Sequence, residues 1–296
     1  MWNALRDWFA SSGDGARGAC DRPTVTLAKA LARNWLELWY QPKVSLRNSA
    51  RIVGAEGLIR VRHPEFAVLG PGAFLPGAGA ADMMTLTEHV IRTGLRDWEA
   101  VAAAGWPELK LAVNIPATTF VELPIARIIR EARPSDERWP GLILEITEDQ
   151  VVNDLPIANE VANELRAQNC SLAIDDFGSG YSSIARLRQL PFSELKIDRA
   201  YVADCDADRS KIRVLQSVID LGRRFGLNTV AEGIETARES HRLQGLGCNL
   251  GQGFYFAKPM AKDEFIATLP RRMAARPPAK RGWWRMRAAA KLKTIG

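Results

Sequence analysis

A chain of 296 residues can bury a full core, either as one domain of about 250 residues or as two smaller ones. Its 47% hydrophobic and 25% charged content is that of a globular protein and excludes disorder throughout. The net charge of +6 invites a polyanionic partner, but nine Lys or Arg lie from Arg271 onward with no acid among them, so the body is mildly acidic and nucleic acid is not its expected ligand.

Taken in chain order, "WNALRDWFA" places Trp2, Leu5 and Trp8 or Phe9 on one helical face, and "SSGDGARG" follows as a linker. Residues 1–22 are therefore read as an amphipathic segment apart from a barrel domain over 23–268. The opening stretch lacks the continuous apolar core of a signal peptide, and no apolar run approaches the roughly 20 residues that span a bilayer, so a cytoplasmic protein is expected. "RIVGAEGLIRV" (51–61), "KLAVNI" (110–115), "GLILEIT" (141–147), "CSLAIDD" (170–176), "SELKID" (193–198), "LNTVAE" (227–232) and a short "GFYF" (253–256) read as strands. They are rich in Val, Ile and Leu and largely free of polar alternation, as strands covered on both faces are. Helical stretches fall between them at 85–105, 156–168 and 208–226, the last with Gly226 as its expected C-cap. This order predicts an α/β fold of the TIM-type (β/α)8 barrel kind. An open doubly wound sheet is the alternative. The tail over 269–296 is basic and punctuated by Pro277 and Pro278.

The cysteines, Cys20, Cys170, Cys205 and Cys248, form no C-x-x-C pair and read as reduced thiols. His63, His89 and His241 are too scattered for a histidine-rich zinc site, and His63 in "RHPEF" reads as a loop residue. Any metal would be held by oxygen.

The polar residues on the strands carry the functional reading. Asn114, Glu145, Asp175, Asp176, Lys196 and Glu232 each lie at or near the carboxyl end of a strand, where a β/α barrel builds its active site. With Glu56 from "GAEGLIR" they bring five carboxylates, one amide oxygen and one lysine to a single mouth. That inventory suits two hard divalent cations such as Mg²⁺ or Mn²⁺. Cations would also relieve the repulsion between the adjacent Asp175 and Asp176. From spacing alone, Lys196 could equally pair with Asp198.

In this order and spacing "YQPKVSL", "GAEGLIR", "LAVNIPA", "LILEITE", "LAIDDFGSGYSSIARLRQLPFSELKID", "TVAEGIET" and "GCNLGQGFYFAKP" resemble the EAL-type cyclic di-GMP phosphodiesterases, from about Thr24 to Pro259. The resemblance implies a modified β/α barrel, often a homodimer, that linearises cyclic di-GMP to pGpG. It implies Glu56, Asn114, Glu145 and Asp175 as ligands of one metal, with Asp175 bridging to a second that Asp176 also serves and Glu232 within reach. Lys196 and Glu232 then position or deprotonate the attacking water, with Glu56 also in the catalytic set. Arg60 meets a substrate phosphate, Gln252 and Gln41 are further polar contacts, Glu148 steadies the loop 177–183, and Glu235 is a supporting acid.

The chain departs from the family pattern at a few positions. Gly57 stands for the Ala of the eponymous tripeptide, Ser179 for Thr, Pro116 for Ser, Asn249 for Asp and Phe254 for Tyr. These bear on rate and positioning. The alternative function is a receptor module that binds cyclic di-GMP and turns it over weakly or not at all. A scaffold whose basic tail touches the inner face of a membrane is a further reading.

Overall fold

A ring of eight strands organises the structure, a computed structural model that describes residues 25–47, 51–147, 155–177, 187 and 189–273. The strands are β1 (Leu36–Ser45), β2 (Ile52–His63), β3 (Ala67–Leu69), β4 (Lys110–Asn114), β5 (Leu142–Thr147), β6 (Ser171–Phe177), β7 (Phe192–Ile197), β8 (Asn228–Ala231), β9 (Leu250–Gly251) and β10 (Met260–Ala261). From β2 through β4, β5, β6, β7 and β8 to β9 every neighbour pairs in parallel. β1 then closes the ring by pairing antiparallel with both β2 and β9. The fold is thus a TIM-like barrel with one reversed strand. β3 and β10 extend the sheet outside the ring, as antiparallel partners of β2 and β1.

The helices are α1 (Leu27–Ala32), α2 (Ala80–Ala103), α3 (Ala117–Glu122), α4 (Ile125–Ala132), α5 (Leu155–Ala167), α6 (Arg199–Val202), α7 (Arg209–Phe225), α8 (Ala237–Leu246) and α9 (Lys262–Met273). α2 buries Leu86, Val90, Ile91, Leu95, Trp98 and Val101, a spacing of three and four that aligns them on one face against the barrel. Trp98 packs there as an apolar body and donates its indole N–H to Leu109 O at 3.1 Å. Outside the ring, the buried Tyr40 hydroxyl donates to Asp97 Oδ2 at 2.8 Å, and Lys262 Nζ reaches Asp97 Oδ1 at 3.2 Å, so one carboxylate ties β1 and α9 to α2. α7 begins where Asp208 accepts from Ser210 N at 2.7 Å and ends at Gly226, whose φ of 71° is the left-handed cap expected of a glycine.

The strand interiors match the sequence reading, with three differences. β1 was not among the expected strands, because Gln41, Pro42 and Lys43 interrupt its apolar run. "GFYF" is a turn rather than a strand: Phe256 N donates to Gly253 O at 3.1 Å and Tyr255 N to Ile234 O at 3.0 Å, and the last strand of the ring is Leu250–Gly251. His63 closes β2 rather than sitting in a loop, is 7% exposed, and packs against Trp35 and Phe66 at centroid distances of 4.5 and 4.7 Å. Cys170, Cys205 and Cys248 are buried free thiols. Among the described residues no helix is long and apolar enough to cross a membrane. The segment 1–22, Cys20 and the tail beyond residue 273 lie outside the described residues.

Candidate active site

Parallel register brings the predicted residues to one level of the barrel. Glu56 lies beside Ala112, Asn114 beside Glu145, and Asp175 beside Thr147, so each step round the ring delivers another polar side chain to the carboxyl ends of the strands. Residues two apart on a strand share a face, which turns the small Ala112 and Ala173 inward below Asn114 and Asp175. Glu232 follows β8 directly, with its N–H donated to Ile197 O at 3.2 Å, and Gln252 follows β9, with its N–H donated to Ala231 O at 2.9 Å. A cavity opens at this rim, lined among others by Glu56, Arg60, Asn114, Asp175, Asp176 and Glu232.

Lys196 is the hub. Its ammonium, 1% exposed as a residue, lies 2.6 Å from Glu145 Oε2, 2.7 Å from Glu232 Oε1, 3.0 Å from Asp175 Oδ1 and 3.6 Å from Glu56 Oε2. Burial by itself would lower its pKa, but these carboxylates outweigh burial and hold it well above the ordinary lysine value. Lys196 therefore stays charged. Glu232 is shifted the other way: burial, joined by the repulsion of Asp175, Glu56 and Asp176 and opposed by Lys196, raises it well above the ordinary carboxylate range. Glu145 ends at about 2, because Lys196 and Lys43 overcome its burial.

Asp175, Asp176 and Glu232 each offer an oxygen within 4.8 Å of the others, the spacing of a cation site. Burial first and Asp175 second push Asp176 up to about 8, and its backbone holds a φ of 53°, a left-handed conformation uncommon outside glycine. Such backbone conformations concentrate where function over-determines them. Asn114 donates Nδ2 to Glu56 Oε1 at 2.7 Å, which leaves its buried Oδ1 without a hydrogen-bond partner among the described residues. An unpaired amide oxygen beside three clustered carboxylates is a donor set that fits a hard divalent cation. Glu56 is more fully engaged, since Gln252 Nε2 donates to its Oε2 at 2.6 Å while Asn114 takes Oε1.

A family model for the EAL domain matches residues 24–259. The chain belongs to the EAL domain family. It is 35% identical over 245 residues to the bifunctional diguanylate cyclase/cyclic di-GMP phosphodiesterase MucR of Pseudomonas aeruginosa, covering 82% of this chain and 36% of MucR. The cyclic di-GMP phosphodiesterase RocR of the same organism is 33% identical over 247 residues, covering 82% of this chain and 62% of RocR. The chain thus spans about a third of the length of several curated relatives that it matches. Among solved structures, the MucR phosphodiesterase in complex with c-di-GMP superposes with a TM-score of 0.73 at 34% identity, over 81% of this chain and 97% of that one.

Within this EAL domain, Gln41 and Arg60 are buried at the site, at 8% exposure each, rather than on the surface. Gln252 Nε2 donates to Gln41 Oε1 at 2.9 Å, and Arg60 Nη1 donates to Ile59 O at 2.8 Å. Lys196 pairs with the carboxylates named above, which settles the choice that spacing left open between them and Asp198. Glu235 sits at the rim, where Arg199 Nη2 reaches its Oε1 at 2.5 Å with both side chains substantially exposed. The loop beside it is held instead by Glu239, which accepts the N–H groups of Asp204, Glu235 and Thr236, each at 2.9 Å. Sequence reasoning missed Glu239, although Thr236 three residues before it spells a capping box. It also missed Lys43 and Glu194, which lie under the site. Glu148 and residues 178–183 of its loop, Ser179 included, fall outside the described residues.

Gly57 and Asn249, two of the departures from the family pattern, are held by close neighbours. Gly57 is paired on both sides, with Tyr40 and with Val113, so its backbone is held. A methyl there would lie 3.3 Å from the Tyr40 ring and 3.4 Å from Ala112 O, a tight fit. Asn249 uses Oδ1 to accept from Thr229 N at 3.1 Å and from its Oγ1 at 3.0 Å, contacts open to Asp or Asn alike.

Proposed function

We propose that this EAL domain hydrolyses cyclic di-GMP to linear pGpG with two divalent cations, Mg²⁺ or Mn²⁺. The observation that carries the reading is Lys196, a buried ammonium shared by carboxylates from three strands and by Glu232 just after a fourth, next to the cluster of Asp175, Asp176 and Glu232. Relatives named as cyclic di-GMP phosphodiesterases support it. Glu56, Asn114, Glu145 and Asp175 would hold one cation, and Asp175 with Asp176 and Glu232 the other. Bound cations of this kind lower the pKa of water and offset charge on a phosphodiester.

Water adds to one phosphorus, the P–O3′ bond breaks, and a proton passes to the leaving oxygen. Glu232 is the acceptor of the water's proton: its carboxylate stands at the mouth 2.7 Å from the charged Lys196 ammonium, which favours the ionised form that accepts a proton. Lys196 holds Glu232, Asp175 and Glu145 in place and supplies positive charge opposite the reacting phosphate. Arg60 offers a planar guanidinium to a phosphate, and Gln252 and Gln41 fix the polar wall beside Glu56. Glu148 steadies the loop over 177–183, Glu235 acts from the rim, and the domain pairs as a homodimer. The barrel domain, through the end of α9, is flanked by the amphipathic segment 1–22 and the basic tail, and the protein works in the cytoplasm.

The test is incubation of the purified protein with cyclic di-GMP and Mg²⁺ or Mn²⁺, followed by chromatography for pGpG. Product should form, vanish with excess EDTA, and form poorly with Ca²⁺, whose longer bonds and higher coordination number spread a compact site. Nucleotide binding without product under all three conditions would favour the receptor reading.

A further inference from the structure

Lys43 is a buried cation that the reaction as described does not use. It enters the barrel interior from the reversed strand β1, two residues beyond Gln41 on the same face, and so lies one layer below the rim. Its side chain is 2% exposed. The ammonium donates to Glu145 Oε1 at 2.6 Å and to Glu194 Oε2 at 2.9 Å. Glu194 stands two residues before Lys196 on β7 and shares its inward face.

The consequence falls on Glu145. Lys196 takes its Oε2 at 2.6 Å and Lys43 its Oε1 at 2.6 Å, so the carboxylate is gripped at both ends and cannot rotate about its last torsion without breaking a buried ion pair. Each carboxylate oxygen has a second lone-pair site, so the grip leaves Glu145 able to accept a further ligand. Room for so long a side chain comes from Ala112 and Ala173, which form a small buried interior cluster with Ile143 apart from the main core. A lone charge there would be costly, and Glu194 supplies the counter-charge.

We infer that Lys43, anchored by Glu194, is a positioning residue that fixes the orientation of the Glu145 carboxylate for cation binding. The inference rests on the metal-dependent phosphodiesterase reading, and its test separates the two. Full-length wild type, Lys43→Met and Lys43→Met/Glu194→Gln are compared by Mn²⁺ calorimetry, by kcat and KM for cyclic di-GMP, and by Tm. Outer partners of metal ligands typically contribute about 10–100-fold in affinity or rate. Lys43→Met should therefore weaken Mn²⁺ binding at least about tenfold and lower kcat by a comparable factor, with KM little changed. The double variant, which no longer strands the Glu194 charge, should recover much of the lost Tm while keeping both functional deficits. It also serves if the single variant does not fold. Wild-type Mn²⁺ affinity and kcat in a double variant of recovered Tm would show Lys43 to be a structural charge only and overturn the inference. If wild type binds Mn²⁺ yet makes no pGpG, the phosphodiesterase reading fails and the affinity comparison still decides Lys43. If wild type binds no Mn²⁺, both fall.

Discussion

Glu232 and Asp176 are carboxylates whose surroundings oppose ionisation, and that opposition sets what each can do. Replacing Glu232 by Gln keeps its shape and removes the proton acceptor, so turnover should fall about 10²–10⁴-fold while nucleotide binding measured by calorimetry survives. Loss of binding with normal turnover at saturating substrate would reverse the assignment. Asp176, pushed up to about 8 by burial and by Asp175, is mainly neutral below that pH. A cation needs the carboxylate, so binding must expel a proton there, and Mn²⁺ affinity should climb as pH rises towards about 8. Calorimetry in buffers of different ionisation enthalpy reads the proton directly; identical heats in all buffers would mean that Asp176 is already ionised. These residues were legible in the sequence because each sits at the end of an apolar run. Lys43 and Glu194 were not, since a charged residue within a strand reads as solvent-facing until the barrel closes round it.

At the scale of elements, the loop after β8 depends on one helix cap. Glu239 accepts three backbone N–H groups and completes the capping box with Thr236, so it holds both the entry to α8 and the turn that follows Glu232. Glu239→Ala should cost about 1 kcal/mol as a lost cap. It should also lower kcat, because a displacement near 1 Å at a catalytic group can cost about 10²-fold. Glu239→Gln, which keeps an acceptor, should recover much of both. A Glu239→Ala protein with unchanged melting and rate would show the loop to be held by its neighbours alone. The parallel strands from β2 to β8 and the helices α2, α5 and α7 follow from apolar patterning and caps that any reader of the sequence can find. β1 and the "GFYF" turn were obscured for opposite reasons: polar residues hid a buried strand, and aromatic residues suggested a strand where backbone bonds to Ile234 and Gly253 impose a turn.

For the molecule as a whole, the unevenness of its charge suggests where it works. The segment from Arg271 holds nine basic residues and two adjacent tryptophans. Near an anionic surface each basic residue adds about 1 kcal/mol, and Trp favours the interfacial zone. We expect the full-length protein to sediment with anionic vesicles at low salt, to be released as salt rises, and to lose this binding when residues 271–296 are removed. Duplex DNA and RNA serve as competing polyanions. Failure to sediment at low salt would rule out this role for the tail. Barrel architecture and its mouth were legible as a pattern of strand ends, whereas the reversed direction of the first strand was not, because direction is a property of pairing and leaves no mark on composition. That reversal has a consequence for synthesis on the ribosome. The seam between β1 and β9 joins Val44 to Gly251 and Ser45 to Leu250, partners more than two hundred positions apart, while β1 meets β2 within a hairpin. A nascent chain can therefore form the hairpin early but cannot shut the cylinder until residue 251 has left the exit tunnel. Arrested chains ending before Leu250 should be cut readily by protease within the β1–β2 hairpin, and chains released after the seam has formed should resist.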